Sequence, residues 1–183
     1  MNDKDRINGF QREDLDRLKK ELDANPDAGR FKLRAKNRWI DGAQSLNLVS
    51  SFYGMSREFS ARSTPFIQTT DAPTVLLGKD LGPMPMEELL VALAASVTTT
   101  LSYRAALAGI QVEEIECEVE GDVDLQSVLD TTEVASRGFE QIRVNVRVKS
   151  EASEELLAAL CAWSPVLESL KRPVPVTISV KKD

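Results

Sequence analysis

The chain has 183 residues, 42% of them apolar and 28% charged, which is enough mass and ordinary composition for a globular protein with a buried core. A formal net charge of −6 excludes nucleic-acid binding by bulk electrostatics, and the complete lack of histidine excludes Ser-His-Asp and Cys-His catalysis, histidine-containing zinc sites and imidazole proton shuttles. Two cysteines, Cys117 and Cys161, fit a reducing compartment, no apolar run approaches a membrane span and Met1-Asn2-Asp3-Lys4-Asp5 has no secretory h-region, so a cytoplasmic location is expected.

Residues 11–24 place Leu15, Leu18 and Leu22 at helical spacing among charges, an amphipathic helix stopped by Asn25-Pro26 and Gly29. Residues 30–52 read as a β-hairpin around Asp41-Gly42, a type I′ turn signal. Met55 to Ser63 is polar and irregular, Thr64 to Thr70 is a further strand, and residues 71–83 are a loop. From Pro85 to Ala108 the chain is apolar or small on nearly every face, with Glu87 and Glu88 at its start and Gly109 at its stop. That pattern predicts a long buried helix, and its cluster Ala92, Ala94, Ala95 and Ser96 suits the close approach of another backbone. Val112–Glu120 alternates Ile115, Cys117 and Val119 with glutamates, and residues 139–149 alternate Ile142, Val144, Val146 and Val148 with polar side chains, so both are one-sided strands. A helix is predicted from Ser150 to Trp163, interrupted by Pro165 with a further turn at 166–171, and a last strand over 173–180. The element order α, βββ, long α, ββ, α, β is α+β rather than alternating βαβ.

The segments Asp71-Ala72-Pro73, Leu77-Gly78-Lys79-Asp80-Leu81-Gly82-Pro83-Met84-Pro85, Glu87-Glu88-Leu89-Leu90 and Ala94-Ala95-Ser96-Val97-Thr98 resemble the OsmC/Ohr family of osmotically induced and organic-hydroperoxide-resistance proteins. Ser164-Pro165-Val166-Leu167-Glu168-Ser169-Leu170 and Pro173-Val174-Pro175-Val176 resemble that family's later motifs, and Asn37-Arg38-Trp39-Ile40-Asp41-Gly42 is similar to one branch that also has an N-terminal helix. The likeness makes 1–29 a helical extension and 30–183 an OsmC-like domain. It implies an intertwined homodimer, with long central helices packed against shared antiparallel β-sheets and two sites at the interface.

In the family's peroxidases a thiolate attacks the O–O bond, becomes a sulfenic acid and condenses with a second cysteine, while a nearby Arg and Glu stabilise the thiolate and orient the substrate. The resemblance places the first of those cysteines at Ser96 and the second at Ser164, so the two-cysteine cycle cannot run there. It also makes Glu87 the helix-start glutamate, with dipole stabilisation as an equal reading, and Arg38 the candidate pocket arginine. Trp163 is a pocket wall or a core aromatic. Cys161, three residues before Ser164, is a small buried hydrophobe or a thiol within reach of the pocket, and Cys117 is a core residue. The resemblance and these replacements together imply an OsmC-like protein without canonical peroxidase activity that binds a small apolar or hydroperoxide ligand at the dimer interface. The alternatives are a one-cysteine peroxidase using Cys161 and a hydrolase using Ser96 or Ser164 with a Lys, Asp or Glu base. No cofactor, metal, nucleic acid or membrane is expected.

Overall fold

The computed structural model describes residues 5–60, 62, 64–129, 137–172 and 174–182. The chain divides into two compact units, Met1–Leu89 and Leu90–Asp183.

The first unit opens with a hairpin that was not among the expected elements, although Asn8-Gly9 is a signal for it. Strands β1 (Arg6–Ile7) and β2 (Phe10–Gln11) pair across Asn8 and Gly9, both at positive φ (50° and 87°), which is the residue pair a type I′ turn favours. Helix α1 (Arg12–Ala24) follows as expected, with Leu15 buried. The single strand expected from Arg30 is split into β3 (Lys32–Leu33) and β4 (Lys36–Asp41). Across the Asp41-Gly42 turn β4 pairs with β5 (Gln44–Val49), but only Gly42 of the two loop residues has positive φ (53°). A type I′ turn requires both, so the turn is of another type, and the ladder slips between Trp39 and Asp41.

Strand β3 pairs with β6 (Phe52–Gly54), which folds back into β7 (Arg57–Phe59). The segment expected to be irregular from Met55 therefore contains a hairpin tip; Ala61 and Ser63 lie outside the described residues. Gly54 opposes Arg57, and Met55 and Ser56 between them both have positive φ (48° and 57°). Strand β8 (Phe66–Thr70) completes the sheet β4-β5-β8, and buried Thr70 meets Ser45 at 2.8 Å.

Helix α2 (Pro85–Leu107) carries the chain into the second unit and ends at Gly109, φ 74°. By length and composition it would reach across a membrane, a test that the core helix of a soluble protein also passes. Its Leu101 and Ala105 pack with Val112, Leu157 and Leu160 as the core of this unit. Strands β9 (Val112–Val123) and β10 (Phe139–Ser150) form a long antiparallel pair. One face joins Val144 to Val119, Val146 to Cys117 and Val148 to Ile115, as the alternation predicts. The other is an ion-pair ladder in which Arg147 meets Glu116 and Glu118, and Arg143 meets Glu120 and Asp122. Between β9 and β10 the chain is described outside 130–136, and residues 125–127 form a single helical turn.

The helix expected from Ser150 is shorter. Ser150 still belongs to β10, its hydroxyl donating to Gln111 O at 2.6 Å, and α3 (Glu154–Cys161) begins after Ser153, whose Oγ accepts from Leu156 N. Helix α4 (Pro165–Lys171) follows at once. The closing strand does not form: Pro173 lies outside the described residues, and 174–182 carry no strand pairing and leave Val176, Ile178 and Val180 exposed. A strand exists only where a neighbour supplies the ladder, and no described strand of this chain does so here.

Candidate functional site

In the second unit α2 and the α3–α4 junction bring two hydroxyls together. Ser96 and Ser164, 68 residues apart in sequence, stand with their Oγ atoms 2.8 Å apart. Ser164 is the N-cap of α4, where Pro165 at the first helical position and a Ser side chain before it are favoured. Its Oγ accepts from Leu167 N at 3.3 Å, while Ser96 Oγ accepts from Val166 N at 3.4 Å. Ser164 is completely buried and Ser96 only partly so. A buried hydroxyl hydrogen needs an acceptor, and in this contact either serine can donate to the other. Neither oxygen touches a carboxylate or an amine among the described residues. With no base to take a proton, the pair has the geometry of an anchored hydrogen bond rather than of an activated nucleophile.

Beside the pair lies a cavity of about 710 Å³, lined by Val97, Val146, Leu157, Ala158, Cys161 and Leu167 among others. Val97 follows Ser96 in α2, and Leu167 is the residue whose N–H holds Ser164. Cys161 therefore lines the cavity, which its spacing from Ser164 left open. Burial pushes its thiol above the ordinary value and the nearby Cys117 thiol adds to the effect. Burial likewise pushes Cys117 up, and that residue faces the same side of the strand pair as the cavity-lining Val146. Both shifts favour the protonated thiol, the opposite of what a peroxidatic thiolate needs.

Trp163 is neither a core aromatic nor free of neighbours. Its ring is 65% exposed and lies 4.1 Å beneath the guanidinium of Arg104, a residue of the last turn of α2. The site reading from sequence missed Arg104, although a signal existed: it is the only charged residue between Leu89 and Leu107.

Glu87 and Arg38 belong to the first unit. The Glu87 carboxylate accepts from Met84 N at 2.8 Å, closing the start of α2 as a capping residue does. Arg38 stands exposed in mid-β4 opposite Leu46, its side chain making no hydrogen bond or ion pair to another described residue. Asp71, not singled out from sequence as a site, is buried and accepts from Ala72 N (2.8 Å), Lys79 N (3.1 Å) and Leu81 N (3.2 Å), which folds the 71–83 loop around one carboxylate. Among the described residues no cluster of His, Cys, Asp or Glu could hold a metal ion.

A family model described as OsmC-like protein matches residues 78–179, a span that holds both serines, the cavity and Arg104. No curated protein matches the chain. Among solved structures, an OsmC-like protein from Mycoplasma pneumoniae is similar with a TM-score of 0.57 at 18% identity, over 76% of this chain and 87% of its own. An organic hydroperoxide resistance protein OsmC from Legionella pneumophila is similar with a TM-score of 0.51 at 13% identity, over 76% and 89%. At such identities the likeness is one of fold.

Proposed function

Because this chain belongs to the OsmC-like protein family, we propose that it is a member whose redox pair is replaced by Ser96 and Ser164 and which binds a small apolar molecule instead of turning over hydroperoxide. The observation that carries this reading is the 2.8 Å contact between the two serine oxygens. Two residues that a sulfenic acid and a resolving thiol would occupy have to stand in contact, as these two do. Hydroxyls in the same place can neither form a sulfenic acid nor close a disulfide. The adjoining cavity, largely apolar and of a size suited to a small ligand, supports binding as what remains. The raised thiol of Cys161 argues against a one-cysteine peroxidase, and the lack of a base beside either serine argues against a hydrolase.

The reading includes a homodimer. It is supported by the exposed stripe Val91, Ala92, Ala95 and Thr99 on α2 and by the unpaired apolar segment at 174–180, both of which a second copy would cover.

The test is to restore the sulfurs. Wild-type protein is expected to reduce an organic hydroperoxide with a dithiol no faster than buffer alone. Ser96→Cys should trap a sulfenic acid, Ser164→Cys should do less, and the double variant should form an intramolecular disulfide and show turnover. Brisk wild-type turnover would place the chemistry elsewhere. A folded double variant with neither sulfenic acid nor disulfide would sink the assignment of the two positions.

A further inference from the structure

Within the second unit, the strand arginines Arg143 and Arg147 each hold two carboxylates. Arg104 holds none among the described residues, although the chain carries 29 acidic side chains against 23 basic ones. Its Nε is buried and has no hydrogen-bond partner among the described residues, while the Trp163 ring lies under the guanidinium carbon. The helix dipole accounts for a cation in the last turn of α2, but not for burying the Nε–H edge without an acceptor, which is a costly arrangement for a charged donor. One face of the guanidinium is taken by an aromatic ring, and the Nε edge is one of those that accept a carboxylate through two parallel hydrogen bonds.

We infer that Arg104, held over Trp163, is the recognition site for the carboxylate of a small acid with an apolar body. The placement suits both halves of such a molecule. Trp163 directly follows Ala162, which lines the cavity, and directly precedes Ser164 of the hydroxyl pair. A carboxylate on Arg104 leaves its apolar body beside a wall of Val97, Leu157 and Leu167. This inference rests on the reading of the protein as a ligand binder and names the chemical class of what it binds.

Trp163 itself reports on the site. The chain has two tryptophans, so Trp39→Phe leaves Trp163 as the only indole, and its emission is followed while decanoate or decanol is added. Decanoate should change the emission saturably and bind about tenfold more tightly than decanol, the advantage of one paired carboxylate. In the same background Arg104→Gln should bring the acid down to the affinity of the alcohol, while Arg104→Lys, which keeps the charge but not the fork, should retain part of the difference. Far-UV circular dichroism confirms that each variant is folded, and the lysine variant keeps the comparison valid if the glutamine variant is not. Equal binding of acid and alcohol, unchanged in Arg104→Gln, would overturn the role of Arg104 and leave ligand binding standing. Failure of both compounds to bind at about 1 mM would overturn both.

Discussion

Asp71 shows how a single side chain organises the loop before α2. Burial on its own raises the pKa of its carboxyl, but the N–H groups of Ala72, Leu81 and Lys79, with the Lys79 charge, outweigh it and hold the group below the ordinary carboxylate range. A folded pKa below the unfolded one means that the stabilisation is present above about pH 3.9 and is lost as pH falls through the folded value. Asp71→Asn is therefore expected to lower the melting temperature at pH 7, and the gap to wild type should close as the pH is taken below 4. A gap that stays constant across that range would show that charge is not what the three N–H groups recognise. The same loop explains two glycines whose motif was visible in the sequence: a Cβ on Gly78 would strike the carbonyl of Ala72, and one on Gly82 that of Thr69. That Ser96 and Ser164 share one site was an expectation of the family resemblance, and their oxygens stand 2.8 Å apart. The roles of Glu87 and Arg104 were not legible. Spacing says which residues share a helix, but not that Glu87 spends its carboxylate on Met84 N or that Trp163 stacks on a turn of α2.

Elements were readable where the pattern was redundant. Helix α2 was bounded almost to the residue, because Pro85, two early glutamates, an all-apolar body and Gly109 agree on one answer. Strands β9 and β10 were readable for a similar reason, since a one-sided alternation leaves a single register that buries its valines. The β6–β7 hairpin escaped because its turn is Met55-Ser56, two residues that give no turn signal, forced into a left-handed conformation by the strands on either side. That strain is a reserve of stability. Replacing the pair by Asn-Gly should raise stability to chemical denaturation by about 1 kcal/mol, with no change in the denaturant slope. A loss of stability would mean that the Met55 or Ser56 side chain makes a contact worth more than the backbone strain. The failure of the closing strand at 174–180 has a different origin: the alternation is there in the sequence, but no described strand of this chain pairs with it.

At the scale of the whole molecule, that unpaired segment and the exposed stripe of α2 make the same prediction. The protein is expected to sediment as a dimer of its 20.2 kDa chain at micromolar concentration, and removal of residues 173–183 should shift it toward monomer. A well-folded monomer of the full chain would count against shared sheets, and a truncated chain that remains wholly dimeric would assign the contact to α2 alone. The hydroxyl pair between α2 and α4 adds something about the kind of message such an assembly carries. A disulfide at that junction would be a memory: once written by an oxidant it persists until a reductant erases it. A hydrogen bond between two serines keeps no such record, since it opens and closes with thermal motion and reads the same at every redox potential. Whatever else happens at this junction, it stores nothing of the molecule's past exposure to oxidant.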